Sequence, residues 1–126
     1  MVQEYTHTQR MAKKSKPVKD SRVLVLGISY KANVDDDRES PSYVLMDKLK
    51  QRGAIVSYYD PFVPQILPTR EHSDWAGTLS VDWSSDEIGV FDVAVISTAH
   101  DQIDYQDLSD WMPLIVDTRN AMRDIN

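Results

Sequence analysis

The amino-acid sequence predicts an α/β fold: a three-layer, doubly wound and mostly parallel sheet in a single domain. Two observations carry this. Short apolar runs rich in Val, Leu and Ile alternate with amphipathic stretches that bear helix caps, the pattern of a sheet covered by helices on both faces. The strand-like runs are too uniformly apolar to have one wet face, which argues for parallel strands in a covered sheet. The 126 residues, 41% hydrophobic and 27% charged, suit one domain with a core of its own.

The run SRVLVLGIS (21–29) reads as a central strand closed by Gly27. SPSYVLMDKLKQRG (40–53) carries the punctuation of a helix. Ser40 is placed to cap it, Pro41 takes the first helical position and Gly53 follows its end, while Lys48, Lys50 and Arg52 suit the negative end of the dipole. Val44, Leu45, Met46 and Leu49 are expected to form its buried face. AIVSYYDP (54–61), ended by Asp60-Pro61, completes a βαβ unit. The Pro- and Gly-bearing segment 62–80 reads as a loop-rich connection, TLSVDW (78–83) as a short edge strand, and SSDEIGV (84–90) as a short helix capped by Ser84 or Ser85. FDVAVISTAH (91–100) is the next strand, DYQDLSDWM (104–112) a helix and LIVDTRN (114–120) the last strand. Residues 1–20, with sparse apolar positions, read as a linker or the tail of an interdomain helix.

The net charge of −6 is unevenly spread, because residues 1–22 hold six basic side chains against Glu4 and Asp20. No aromatic residues interleave those cations to stack bases, so a solvated arm is expected and no nucleic-acid partner. The chain has no cysteine, which excludes disulfides, thiolate metal sites and a cysteine nucleophile within it. No apolar run approaches the roughly 20 residues of a membrane span and no signal peptide is visible, so a cytoplasmic location without a membrane partner is expected.

Ligands of open parallel sheets bind beyond the carboxyl ends of the strands, where the strand order reverses. Three strand ends carry polar chemistry. The first leads into Tyr30, Lys31, the run Asp35, Asp36 and Asp37, and Arg38; the third into Ser97, Thr98, His100 and Asp101; the last into Asp117, Thr118, Arg119 and Asn120. Lys31 and Arg119 on one rim would offer two cations to an anionic ligand. Gly27 stands alone after the first strand, with neither G-x-G-x-x-G nor a P-loop, so the domain is not expected to hold a dinucleotide by itself. The three aspartates match a magnesium or receiver-type site only in their acidity, because the third strand ends in Ser97-Thr98 and the last in Asp117-Thr118-Arg119, and the more economical role is as partners of Arg38 that steady the start of the helix at Ser40. His100 has no nucleophile to activate and reads as structural, while Trp83, Tyr105 and Trp111 read as packing. No catalytic residue and no metal ligand is assigned.

Four spaced blocks then point to a family. VLVLGISYKANVDDDRESPS (23–42), GAIVSYYDPFVP (53–64), FDVAVISTAH (91–100) and IVDTRNAM (115–122) resemble, in order, the C-terminal domain of the UDP-glucose and GDP-mannose dehydrogenase superfamily of nucleotide-sugar 6-dehydrogenases. The resemblance implies a Rossmann-like, UDP-sugar-binding C-terminal domain over 21–126. Such enzymes oxidise the sugar C6 hydroxyl to a carboxylate for polysaccharide precursors, with NAD held by an N-terminal domain and a catalytic cysteine outside this one. The implied partners are the UDP-sugar, the remaining domains of the parent enzyme and a second subunit. An excised C-terminal domain starting at Met1 would explain the missing cysteine and glycine signature, and would be inactive alone. Carried over by position, Tyr30, Lys31 and Arg119 contact the substrate, and Arg38 reaches the NAD bound by the other domain. The loop SYKANVDDDRESPS looks closest to enzymes acting on UDP-N-acetylhexosamines. The alternative is a stand-alone nucleotide-binding or receiver-like regulatory α/β module.

Overall fold

The computed structural model describes residues 3–6, 18–37, 40–68 and 73–123. Five strands form one sheet: β1 (Gln3–Thr6), β2 (Arg22–Leu26), β3 (Ile55–Tyr59), β4 (Val93–Ile96) and β5 (Leu114–Asp117), in the order β1-β5-β4-β2-β3. All pairings among β2 to β5 are parallel. β1 runs antiparallel along β5, with Gln3 opposite Asp117 and Thr6 opposite Leu114. These four residues fall in the segment read from sequence as linker or helix tail. The open edge of β5 offers them a row of unpaired backbone groups, which a weak helical pattern does not match.

The sheet is covered on both sides. Strand residues alternate faces, and Leu24, Leu26, Ala94, Ile96 and Ile115 pack with Ile88, Leu108 and Met112 of the elements α2 (Ser85–Ile88) and α3 (Tyr105–Trp111) and the turn that follows. Val23 and Val25 point the other way, onto Tyr43 and Met46 of α1 (Pro41–Gln51). Trp83 and Trp111 join the first cluster, as expected for packing residues, with ring centroids 5.5 Å apart.

The helix caps lie where the sequence puts them. Ser40 Oγ accepts from Ser42 N at 3.2 Å, Pro41 is the first residue of α1, and Gly53 takes the left-handed conformation after it. Ser84 and Asp104 cap α2 and α3 through Glu87 N and Asp107 N. The buried face of α1 differs from expectation: Ser42, Tyr43 and Met46 are buried, Leu45 and Leu49 are half-buried, and Val44 is 50% exposed. At 100° per residue Val44 lies nearly opposite the arc shared by Ser42, Met46 and Leu49. TLSVDW forms no strand; Leu79 makes an isolated bridge to Gln65, and Val81 N alone bonds to Tyr58 O on the edge of β3. The described parts of this segment, 62–68 and 73–80, instead bond to each other, and the second docks on α1, where Trp75 Nε1 donates to Asp47 Oδ1 at 2.7 Å.

From β2 the chain steps outward to β3, then crosses back to β4 and β5 on the other side. The strand order therefore reverses between β2 and β4, at their carboxyl ends. Gly27 sits at this crossing with φ +78°, and a Cβ there would lie 2.1 Å from the Thr98 carbonyl oxygen. Both the backbone conformation and the space demand glycine. Gly27→Ala is expected to destabilise the fold by about 2–4 kcal/mol, from the left-handed strain and the forced shift of Thr98. A urea-denaturation midpoint within error of the unsubstituted chain would contradict this.

Candidate functional cleft

Three loops meet at the reversal point, and hydroxyls knit them. Ser29 O accepts from Thr98 Oγ1 at 2.8 Å, Ser42 Oγ bonds to Gly27 O at 3.1 Å and pairs with Ser97 Oγ at 2.6 Å, and Thr118 Oγ1 donates to Ile96 O. Under them lies Asp60, 1% exposed. Its Oδ2 accepts from Ile28 N (2.8 Å), Ser29 N (3.2 Å), Ser29 Oγ (3.0 Å) and His100 Nε2 (2.9 Å), and its Oδ1 from Phe62 N (2.8 Å). Burial pushes this carboxyl up, yet the hydrogen bonds from His100, Ile28 and Phe62 outweigh it and hold the group below its ordinary value.

His100 is fully buried, and its other nitrogen, Nδ1, accepts from Asn33 N at 2.8 Å. That contact assigns the neutral tautomer with the proton on Nε2, directed at Asp60. His100 is thus hydrogen-bonded at both ring nitrogens, to Asn33 and to Asp60. Asn33, at φ +65°, adds a reciprocal pair with the next residue: its Nδ2 donates to Asp101 Oδ2 and its Oδ1 accepts from Asp101 N, both at 2.9 Å. The 30–36 turn is closed from within by Tyr30 N bonding to Asp36 O.

Above this floor opens a cleft of about 240 Å³ lined by Tyr30, Lys31, Ala32, Thr98, Ala99 and Arg119. The three residues singled out in sequence for an anionic ligand, Tyr30, Lys31 and Arg119, therefore share one cleft at the carboxyl ends of β2, β4 and β5. Asp117 holds the turn that presents Arg119, accepting from Arg119 N at 3.0 Å and Met122 N at 2.8 Å. The guanidinium is anchored through Nε to Ser97 O at 2.9 Å. Among the described residues, the terminal nitrogens of Arg119 and the ammonium of Lys31 have no partner. Two uncompensated cations beside an exposed tyrosine ring, 59% accessible, suit an anion that carries a flat or apolar portion.

Arg38 lies outside the described residues. Of the aspartates beside it, Asp37 accepts a hydrogen bond from the Tyr43 hydroxyl through Oδ2 and another from Ser40 N through its carbonyl, so it ties the loop to the start of α1. Burial and the neighbouring Asp37 push the Tyr43 hydroxyl far above its usual range. No cluster of three or more His, Asp or Glu placed to hold a metal occurs among the described residues. The sequence reading gives Asp60 only as the end of a strand and does not single out Asn33. The available signals were an acidic residue ending an apolar strand and an Asn two positions after a candidate ligand-binding Lys.

The model of the UDP binding domain of the UDP-glucose/GDP-mannose dehydrogenase family matches residues 24–124. This chain belongs to that family. It is 34% identical over 113 residues to the UDP-glucose 6-dehydrogenase YwqF of Bacillus subtilis, covering 79% of this chain and 23% of that protein. To the UDP-N-acetyl-D-mannosamine dehydrogenase of Methanocaldococcus jannaschii it is 28% identical over 109 residues, covering 80% and 23%. The solved UDP-glucose dehydrogenase from the archaeon Pyrobaculum islandicum superposes with a TM-score of 0.61 at 26% identity, over 90% of this chain and 26% of that one. The chain thus spans about a quarter of the length of these relatives. No described helix is long and apolar enough to cross a membrane.

The family domain does not present a dinucleotide cradle in this chain. Where a glycine-rich turn would leave room for a pyrophosphate, the room at Gly27 is taken by the Thr98 carbonyl. The start of α1 is likewise covered, since Ser40 and Ser42 are buried against Ser29 O and Gly27 O. The described residues do not fit NAD.

Asp60 yields a pH prediction. Its folded pKa lies below the unfolded value near 3.8, so its stabilisation is complete above that value and is lost as pH falls through the folded one. Asp60→Asn is expected to cost about 3 kcal/mol at pH 7, because donors aimed at a carboxylate oxygen would face an amide. Urea midpoints measured from pH 7 downward should show the gap between variant and unsubstituted chain narrowing below about pH 4. A gap that is constant across that range would contradict the assignment.

Proposed function

We propose that this domain holds the UDP portion of a UDP-sugar for an NAD-dependent UDP-sugar 6-dehydrogenase, whose chemistry is carried by other parts of the enzyme. The observation that carries the reading is the convergence of Lys31 and Arg119, both without partners among the described residues, on one cleft that Tyr30 also lines. In this reading the ammonium of Lys31 and the guanidinium fork of Arg119 neutralise the diphosphate, each through charged hydrogen bonds worth roughly 1.5–3 kcal/mol. The exposed ring of Tyr30 offers an apolar face to the base or ribose.

Relatives named for UDP-glucose and for UDP-N-acetyl-D-mannosamine both match, which supports a site for their shared UDP part. The sugar is then read elsewhere in the enzyme, and the SYKANVDDDRESPS loop favours a UDP-N-acetylhexosamine. NAD is assigned to another domain, with Arg38 reaching it from this one. The chain by itself is inactive as an oxidoreductase on this reading, and it works in the cytoplasm.

An amide-shift NMR titration of the 126-residue chain with UDP tests the reading. A site lacking the rest of the enzyme is expected to bind with Kd near ~1 mM, about 4 kcal/mol. Saturable shifts should centre on Tyr30, Lys31, Thr98 and Arg119, and Lys31→Ala and Arg119→Ala should each raise Kd by about tenfold or more. Saturable shifts centred elsewhere, or unchanged affinity in both variants, would overturn the assignment.

A further inference from the structure

We propose that Asn33 and Asp101 are positioning residues for the anion cleft, forming a clasp that holds the Lys31 wall at a set distance from the Thr98 and Arg119 wall. The proposal rests on reading the cleft as an anion site. It goes beyond that reading by assigning a role to two residues outside the cleft lining.

Residues 30–32 form one wall of the cleft and residues 98–99 part of the other, and they belong to loops that leave different strands. Between β2 and β4, backbone hydrogen bonding ends at Leu26 O, which accepts from Ser97 N and Thr98 N, so the ladder does not reach Lys31. Thr98 Oγ1 ties Ser29 O to the far wall on one side of Lys31, and Asn33 supplies the tie on the other. Its side chain makes the reciprocal pair with Asp101 at 2.9 Å in both directions, and its backbone N donates to His100 Nδ1 at 2.8 Å. His100 is itself braced by Asp60, so the tie runs from a buried carboxylate to a point two residues from Lys31. Asn33 needs φ +65° to make these bonds, a conformation that Asn tolerates better than most residues. Both Asn33 and Asp101 are exposed, yet a solvated Asp beside a cationic cleft opposes anion binding by its charge. The clasp gives that Asp a use.

This opposition of signs provides the test. Asp101→Ala removes a negative charge near the cleft and also the acceptor for Asn33 Nδ2, whereas Asp101→Asn removes the charge and keeps an amide oxygen to accept that bond. If Asp101 acts by charge alone, both variants bind anions more tightly. If it positions the loop, Asp101→Ala binds UDP more weakly, by about tenfold, equivalent to losing one charged hydrogen bond to phosphate, and Asp101→Asn recovers the affinity. Asn33→Ala, which loses both side-chain bonds of the pair and leaves the Asp101 charge in place, should bind at least as weakly as Asp101→Ala.

The titrations are run by NMR on the full chain with UDP and, separately, inorganic pyrophosphate, with {1H}-15N NOEs of residues 31–34 recorded without ligand. Lower NOEs in Asp101→Ala and Asn33→Ala, restored in Asp101→Asn, together with the same order of affinities, support the clasp. A merely structural role would lower stability without this ordering of folded-state affinities. Unchanged NOEs, or tighter binding by Asp101→Ala, overturns it. If pyrophosphate follows the expected order while UDP does not bind the unsubstituted chain, the UDP reading fails and the clasp stands. If neither ligand binds, both fail.

Discussion

The buried carboxylate of Asp60 is the interaction on which the rest of the ligand-facing end depends. It lies just past β3, yet it collects donors from the loop after β2, from its own turn at Phe62 and from His100 beyond β4. A desolvated charge is tolerated only when its oxygens are fully satisfied. Each donor must therefore come to Asp60, and in doing so the three strand ends are drawn into register. His100 extends the arrangement by one more bond, from the core out to Asn33 at the surface.

The crossing at Gly27 explains why a doubly wound sheet can lack the usual use of its first turn. In a dinucleotide site the glycine leaves space for a phosphate group; here the same space receives the carbonyl of Thr98. Serine and threonine hydroxyls then satisfy the backbone oxygens that the crossing leaves without sheet partners, with Gly27 O taken by Ser42 and Ser29 O by Thr98. The start of α1 becomes part of the floor. Anion recognition moves outward to side chains on the rim, where Lys31 and Arg119 meet the cleft without a carboxylate partner among the described residues. An acidic chain of net charge −6 thus keeps a local site of the opposite sign.

Much of this was determined by the sequence alone. Continuous apolar runs made β2, β4 and β5 readable, Ser40, Pro41 and Gly53 bracketed α1, and the spacing of Lys31 and Arg119 after strand ends placed both near the cleft, because such features depend on neighbours within a few residues. Tertiary structure decided the rest. Which side of α1 is buried turned on the position of the sheet, so Tyr43 went inward and Val44 outward. The pairing of Gln3–Thr6 with β5 depended on an edge contributed by residues more than a hundred positions away. Asp60, His100, Asn33 and Asp101 became one network only once β2 lay between β3 and β4, bringing together residues 40 to 68 positions apart. Hydrogen bonds are short-ranged and directional, so a polar residue's partner follows from where the fold brings it, and no local pattern encodes that position.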